Sequence, residues 1–319
     1  MVPGDQARPW RDAWADALYS EGGFYRRPEG PAGHFRTAVH AAPGELAAAV
    51  ARLAAECRCS AVVDVGTGRG ELLRALHGLP GNSLALHGVE IADRPADLPP
   101  QIAWSRRAPR VPDALVVAWE LLDVVPCPVL EVDDEGVVRT VLVDQVGRES
   151  LGPPADPADL AWCTSWWPLQ EREPGDRVEV GRGRDTQWAS LVGGVAVAGG
   201  GVLLAVDYGH HRRSRPAAGS LSGFRAGRAG PPRPDGTTDV TAHVALDAIA
   251  AAGEAAGATA TLLTRQDVAL RALGVTSAEL LDPGALGGFG WLLQAVERPL
   301  PASVRAAQGE RERERPVRP

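Results

Sequence analysis

An acidic residue and alternating glycines occupy one short segment of the chain, DVGTGRG from Asp64 to Gly70. An apolar run, AVVDV, leads into the glycines, and the helix-forming sequence ELLRALHG follows them. A doubly wound sheet binds nucleotides at such a strand, tight turn and helix, because glycines let the backbone approach a ligand beside a helix N-terminus. The segment therefore predicts a cofactor site formed by Asp64, Gly66, Gly68 and Gly70.

The glycine spacing distinguishes between two classes of cofactor. A dinucleotide-binding loop follows the pattern Gly-x-Gly-x-x-Gly, and its last position, counted from Gly66, falls on Glu71. A carboxylate there would also repel a pyrophosphate. The pattern acidic-x-Gly-x-Gly-x-Gly is instead complete. S-adenosylmethionine has a sulfonium and an amino-acid end but no phosphate, so the loop predicts this cofactor and disfavours a nicotinamide-dependent oxidoreductase.

A further carboxylate is placed to contact a ribose. The second apolar run, Leu84 to Ile91, contains Glu90, which lies 20 residues beyond Gly70. An acidic residue at the tip of the second strand can accept hydrogen bonds from ribose hydroxyls. We therefore add Glu90 to the predicted cofactor-binding residues. The alternative is a glycine-rich turn without a ligand, which the common register of strand, helix and Glu90 disfavours.

Two carboxylates accompany the strong apolar run DALVVAWELLD. Glu120 and Asp123 come at and after the predicted end of this strand, where open α/β sheets bind ligands. They are three residues apart, so a helical turn would place them on one face. We predict that both contact the substrate. The alternative is a helix-capping Asp and a solvated Glu.

Asp207 and His243 complete the candidate catalytic residues. Asp207, with Tyr208 after it, ends the apolar run GVLLAVD, and His243 follows Asp239, where we expect a helix to begin. Both would face the same edge of the sheet. Methyl transfer from a sulfonium is an in-line displacement that depends on alignment, with a base needed only if the nucleophile carries a proton. For His243 a structural hydrogen-bonding role is the alternative.

The alternation of apolar runs with helix-length or loop-length segments predicts an α/β fold with a doubly wound, Rossmann-like parallel sheet. Its core is interrupted by a Pro- and Trp-rich piece without a clear period. We divide the chain into a helical N-terminal extension over 1–59, the first part of the core over 60–150, an insertion or lid over 151–190, the second part of the core over 191–302 with a long loop over 210–236, and a disordered tail over 303–319.

Composition limits the function classes. The 319 residues include 33 basic and 40 acidic side chains, a formal net charge of -7, which argues against nucleic acid as a partner. No apolar secretory signal opens the sequence, and the longest apolar run, Leu191 to Val206, is too rich in glycine for a membrane span. We expect a cytoplasmic protein without a membrane partner.

The cysteines give no metal site. The four cysteines are Cys57, Cys59, Cys127 and Cys163, and no His or Cys lies at a metal-ligand spacing from the first pair. We expect buried or incidental thiols in a reducing compartment. The oligomeric state is not predicted.

Six blocks of sequence, in order, resemble the MidA-type methyltransferases, a family that includes the mitochondrial complex I assembly factor that methylates an arginine. The resemblance covers roughly residues 20 to 275. The blocks are GHFRTA from Gly33, DVGTGRG from Asp64, WELLDVVP from Trp119, DYG from Asp207, Ser220-Leu221 with Phe224-Arg225, and DVTAHV from Asp239.

The resemblance implies the sheet of a class I S-adenosylmethionine-dependent methyltransferase and a protein arginine as the methyl acceptor. Several residues depart from the family pattern while the cofactor loop is intact: His34, Val39, His40, Trp119, Pro128 and Val129. The resemblance therefore supports cofactor binding more strongly than it supports arginine as the methyl acceptor. A small-molecule methyltransferase and a non-catalytic assembly protein that binds the cofactor or retains the fold stay open as alternatives.

Overall fold

The computed structural model describes residues 7–27, 37–168, 171–225 and 227–314. His34, one of the departures from the family pattern, and residues 315–319 of the predicted tail lie outside the described residues. The chain divides into two compact units, each made of several segments. The core unit comprises 36–121, 188–208 and 250–319, and the second unit comprises 1–35, 122–187 and 209–249.

Helices and strands are interspersed along the described residues. The helices are α1 Trp10–Tyr19, α2 Ala38–Ala41, α3 Pro43–Glu56, α4 Glu71–His77, α5 Pro157–Trp166, α6 Arg182–Val197, α7 Leu246–Ala255, α8 Gln266–Ala272, α9 Ala278–Leu281 and α10 Ala302–Glu314. The strands are β1 Arg8–Pro9, β2 Ala61–Val65, β3 Ala85–Val89, β4 Ala103–Ser105, β5 Ala114–Trp119, β6 Val129–Val132, β7 Val138–Val143, β8 Glu149–Pro154, β9 Arg177–Glu179, β10 Gly201–Asp207, β11 Gly209–His210, β12 Ser222–Arg225, β13 Arg228–Gly230, β14 Asp239–Thr241, β15 Val244–Ala245, β16 Ala260–Arg265 and β17 Gly290–Val296.

The core unit contains a seven-stranded sheet in the order β16-β17-β10-β5-β2-β3-β4. The strands from β10 to β4 pair in parallel, whereas β17 pairs antiparallel to β10 and to β16. Strands β2, β5, β10 and β17 are buried along their whole length, which explains their nearly continuous apolar sequences. The predicted α/β fold with a mostly parallel sheet is confirmed.

The direction of winding reverses at β2. From this strand the chain proceeds to β3 and β4 on one side, and then returns to β5 and β10 on the other. In sheets of this kind the crevice for ligands opens beyond the carboxyl ends of the two strands at the reversal. The crevice of the core unit is therefore formed by the residues that follow β2 and β5.

Helices cover both faces of this sheet. Leu204 and Leu293 share a cluster of buried side chains with Leu46 and Val50 of α3. Gln294 points to the opposite face, because successive side chains of a strand alternate, and its Oε1 accepts a hydrogen bond from Trp188 Nε1 of α6 at 2.7 Å. Helix α3, which the sequence placed in the N-terminal extension, thus packs as one of the helical layers of the core.

The C-terminal segment forms helix α10, where the sequence predicted disorder from residue 303. Ser303 donates hydrogen bonds from its backbone N and Oγ to Glu56 Oε2, at 3.1 and 2.8 Å. Val304 is completely buried, and Gln308 Nε2 donates to the backbone O of Leu263 at 3.1 Å. These tertiary contacts stabilise the helix, and the charged composition of the segment gave no sign of them.

The second unit is built on an antiparallel sheet in the order β1-β7-β6-β9, with β8 paired to β7. The hairpin of β6 and β7 turns at Gly136, whose φ is +78°. A smaller sheet, β13-β12-β14, lies in and after the predicted long loop. The Trp-rich segment forms α5, in which Trp162 is buried.

Two local predictions about this unit are wrong. Asp239 begins strand β14 instead of a helix, as suits the β-branched residues Val240 and Thr241, and the helix starts at Leu246. His243 therefore lies in the connection between β14 and β15.

The predicted helical turn after Glu120 is also absent. The residues that follow form a turn, and Pro126 and Pro128 come after it, where they disfavour continuation into a helix. No helix among the described residues is long and apolar enough to cross a membrane.

Candidate functional site

The glycine loop joins β2 to α4 with three left-handed residues. The φ angles are +74° at Gly66, +59° at Gly68 and +81° at Gly70, a region that favours glycine. A Cβ atom would lie 2.7 Å from Leu121 Cδ1 at Gly66 and 2.8 Å from Leu98 Cδ1 at Gly70. The left-handed backbone, together with these close side-chain contacts, therefore favours glycine at these two positions.

Gly68 differs from its two neighbours. A Cβ atom there would meet only the carboxylate of Glu71, at 3.3 Å, the far end of a flexible side chain. Its backbone N donates a hydrogen bond to Glu90 Oε2 at 3.1 Å. Apart from Glu71, the Cβ direction of Gly68 is thus open, and Gly66 is exposed, so a ligand can approach the backbone of the loop.

Glu90 anchors the loop from the end of β3. Its Oε1 accepts hydrogen bonds from the backbone N of Ile91, at 2.7 Å, and of Ala92, at 3.3 Å, in addition to the bond from Gly68. Burial raises the pKa of its carboxyl group, and these hydrogen bonds oppose the effect. A carboxylate offers about four acceptor positions, so Glu90 retains capacity for a ribose hydroxyl.

Asp64 lies inside the loop rather than at its surface. It is 4% exposed, and its Oδ2 accepts a hydrogen bond from Thr67 Oγ1 at 2.6 Å. Burial raises the pKa of Asp64 to about 7, and the nearby carboxylates of Glu71 and Glu90 add to the rise. The structure gives Asp64 the role of fixing the turn through Thr67.

The wall beside the loop contains residues that the sequence argument did not identify. A Cβ at Gly88 of β3 would lie 2.7 Å from Trp104 Cε3 and 3.0 Å from Thr67 Cγ2. Trp104 Nε1 donates a hydrogen bond to the backbone O of Ala92 at 3.4 Å, next to Glu90. Neither residue belongs to the motifs described from the sequence, although Gly88 lies two positions before Glu90.

Glu120 follows β5 directly and has an unusual backbone. Its φ is +53°, a conformation that non-glycine residues rarely adopt and that often marks functional sites. Its backbone N donates to Val206 O at 2.8 Å, and its Oε1 accepts a hydrogen bond from Ala38 N at 3.0 Å. Two elements therefore hold the strained residue in place, the neighbouring strand β10 and the start of α2.

Helix α2 contacts the loop as well as Glu120. His40 Nε2 lies 3.8 Å from Glu71 Oε1. The short helix thus touches residues on both sides of the crevice between β2 and β5. Its position was not predicted, although the block GHFRTA ends in its first residue and His40 is one of the departures from the family pattern.

Asp207 ends β10, the parallel neighbour of β5, and is completely buried. Tyr208 after it packs on Phe289, with ring centroids 4.1 Å apart. The sheet therefore brings four predicted site residues to the carboxyl edge of adjacent strands. They are Asp64, Glu90, Glu120 and Asp207.

Asp123 and His243 belong to the second unit, where one buried arginine joins their segments. Arg184 is 1% exposed. It donates to the backbone oxygens of Asp123 at 2.7 Å, His243 at 2.9 Å, Ala242 at 3.0 Å and Val125 at 3.2 Å. Partial desolvation lowers the pKa of His243, although the residue as a whole is exposed. The catalytic roles of Asp123 and His243 stay predictions.

The departure at Trp119 has a structural reason. Trp119 is 7% exposed and its ring lies edge-on to Trp291, with centroids 5.3 Å apart. The side chain fills the core. All four cysteines are buried and free, as expected, and no cluster of metal-ligating side chains occurs in the part of the chain that the structure describes.

The residues at the crevice fit S-adenosylmethionine. The glycine loop leaves its backbone accessible at Gly68, Glu90 can accept from a ribose, and the surrounding carboxylates suit a cationic sulfonium. Glu71 at the start of α4 would repel a phosphate group, and S-adenosylmethionine has none.

Comparison with known proteins agrees with this geometry. Two solved structures, both COG1565 superfamily proteins from Burkholderia thailandensis, have a TM-score of 0.77. One, bound to S-adenosyl-homocysteine, is 21% identical, with 96% of this chain and 91% of that chain covered. The other, a native structure of an uncharacterised protein, is 22% identical, with 95% and 90% covered. At this identity the likeness establishes the fold.

No curated protein matches the chain significantly. Residues 48–264, more than half of the sequence, match the model of a family described as "Putative S-adenosyl-L-methionine-dependent methyltransferase". That range contains the glycine loop, Glu90 and Glu120. The chain therefore belongs to this family, and its cofactor is S-adenosyl-L-methionine.

Proposed function

We propose that this protein is a MidA-type enzyme that methylates a nitrogen of an arginine side chain in a protein substrate. The observation that supports it best is the acidic edge of the core unit, where Glu120 follows β5 directly and Asp207 ends β10, the strand paired with β5. Carboxylates bind a guanidinium well, since its planar fork of N–H donors matches two carboxylate oxygens.

When bound, the cofactor supplies an electrophilic methyl group on a sulfonium. The acceptor nitrogen forms the new bond to carbon, the carbon–sulfur bond breaks, and one proton leaves the nitrogen. In this proposal Gly66, Gly68, Gly70 and Glu90 hold the cofactor, and Asp64 supports them by fixing the turn of the loop through Thr67. Glu120 orients the guanidinium and takes up the released proton, which its position at the crevice supports.

The fixed conformation of Glu120 supports the orienting role. A left-handed backbone and the hydrogen bond from Ala38 restrict the carboxylate to a narrow range of positions. Methyl transfer depends on aligning the nucleophile with the carbon–sulfur bond. Asp207 is a second candidate for substrate contact, and Asp123 and His243 are kept as candidates from the sequence.

The experiment is transfer of labelled methyl from the cofactor to proteins of a lysate, followed by acid hydrolysis and separation of the labelled amino acids. We expect labelled methylarginine with the natural protein and a loss of at least about a hundredfold with Glu120→Gln. Glu135→Gln is the matched control, because Glu135 lies in the exposed turn of the second unit's hairpin.

The two alternatives give different results in the same experiment. A small-molecule methyltransferase would label the low-molecular-weight fraction and leave proteins unlabelled. A non-catalytic assembly protein would bind the cofactor and label nothing, and either result would contradict the arginine proposal.

A further inference from the structure

The imidazole of His40 lies beside the glycine loop in a defined orientation. Its Nδ1 is 3.4 Å from the backbone N of Thr37 and 2.9 Å from Thr37 Oγ1. A backbone N–H can only donate, so Nδ1 presents its lone pair and the neutral ring carries its proton on Nε2. The N–H of the ring therefore points to the side of Glu71.

Glu71 presents a carboxylate at the same place. Its Oε2 accepts a hydrogen bond from Arg69 N at 3.0 Å, while Oε1 faces His40 Nε2 at 3.8 Å. That separation is too long for a direct hydrogen bond. The side chains of His40 and Glu71 are 31% and 27% exposed. A hydrogen-bond donor and an anion thus stand side by side next to Gly68, both accessible to a ligand.

We propose that His40 and Glu71 together bind the amino-acid end of the cofactor. In this arrangement His40 Nε2 donates to the carboxylate of the ligand, and Glu71 accepts from its ammonium group. The inference rests on S-adenosylmethionine as the cofactor and on its location at the glycine loop. It assigns to α2 a part in recognising the ligand that the proposed function does not include.

Charge complementarity supports the pairing. The amino-acid end carries one cation and one anion, so a site for it needs a donor beside an acceptor. Glu71 alone would attract the ammonium and repel the carboxylate, and Asp64 and Glu90 are further acids near the loop. His40 supplies the donor that offsets this repulsion.

Three ligands separate the two contacts in a calorimetric titration. S-adenosylhomocysteine has both charged groups, decarboxylated S-adenosylhomocysteine keeps only the ammonium group, and methylthioadenosine has neither. A contact with one group should change the affinity only for the ligands that contain it.

Two substitutions of His40 separate its two nitrogen atoms. His40→Asn keeps an acceptor for Thr37 near the position of Nδ1 but removes the donor at Nε2, whereas His40→Gln places an amide N–H near Nε2. We expect His40→Asn to weaken S-adenosylhomocysteine binding roughly tenfold, the low end for a hydrogen bond to a charged group, with the other two ligands changed by less than about twofold. His40→Gln should recover most of the loss.

Glu71→Gln tests the second contact. It should weaken S-adenosylhomocysteine and the decarboxylated ligand to a similar degree and leave methylthioadenosine unchanged. The matched control is His77→Asn, since His77 is exposed at the far end of α4. This variant should bind all three ligands as the natural protein does.

Two results would overturn the inference. Equal weakening of all three ligands by His40→Asn would show that His40 only supports the fold of α2, and an unchanged affinity for S-adenosylhomocysteine would show that it makes no contact. Failure of the natural protein to bind any of the ligands is a different result, because it would contradict the cofactor site itself.

Discussion

Replacing Gly66 by alanine tests the close approach of the loop to the start of the turn after β5. The alanine would have a φ of +74°, and its Cβ would lie 2.7 Å from Leu121 Cδ1. The left-handed conformation costs an L-residue about 1–2 kcal/mol, and forcing an extra methyl into a packed site costs about 1–3 kcal/mol more. We expect Gly66→Ala to lower the free energy of unfolding by about 2–5 kcal/mol.

Gly81→Ala is the matched control. Gly81 has nearly the same φ, +73°, but no atom lies within 4 Å of its added Cβ. This variant should therefore lose only the conformational part, about 1–2 kcal/mol. Urea unfolding followed by tryptophan fluorescence measures both variants.

A double-mutant cycle with Leu121→Ala isolates the contact. Leu121 is only partly buried, so its truncation alone should cost about 1 kcal/mol. In Gly66→Ala/Leu121→Ala the new methyl group no longer meets the leucine. We expect the double variant to lose about 1–3 kcal/mol less free energy of unfolding than the sum of the two single variants. Strict additivity, or equal losses in Gly66→Ala and Gly81→Ala, would refute the packing argument.

Three further predictions concern Glu90, Asp64 and Arg184. Glu90→Gln cannot accept all three backbone N–H bonds, so it should cost about 1–3 kcal/mol of stability and weaken S-adenosylhomocysteine binding in calorimetry; an unchanged affinity would argue against the ribose contact. Because the native pKa of Asp64 is raised from 3.8 to about 7, its protonated form stabilises the fold below pH 3.8 and this contribution is lost as pH rises to about 7. Asp64→Asn should therefore become more stable relative to the natural protein across that range, and parallel pH profiles in urea unfolding would count against the shift. Arg184→Met leaves four backbone oxygens without their donor and should cost at least about 3 kcal/mol, whereas Arg182→Met, whose side chain is 42% exposed, should change stability by less than about 1 kcal/mol in the same assay.

The core sheet could be predicted because its signals are local. The apolar run before Asp64 and the run before Glu120 are central strands buried along their whole length, so their sequences are apolar without alternation. The glycine loop also carries its own signal, since the φ angles of Gly66, Gly68 and Gly70 exclude most other residues. A feature can be predicted from nearby residues when it depends only on those residues, as strand burial and backbone conformation do here.

The missed features depend on contacts between distant segments. Nothing near Ser303 in the sequence indicates its hydrogen bonds to Glu56, and the charged tail looked disordered. Helix α2 is four residues long, and its importance comes from Glu120 and Glu71, which lie far along the chain. Arg184 is an ordinary arginine in the sequence, yet it is buried against four backbone oxygens.

A crystal structure of the protein with S-adenosylhomocysteine would show directly where the cofactor binds. We predict that the nucleoside lies along the loop from Gly66 to Gly70, with a ribose hydroxyl within hydrogen-bonding distance of the Glu90 carboxylate. A ligand bound elsewhere, or one at the loop with its ribose away from Glu90, would contradict this cofactor site.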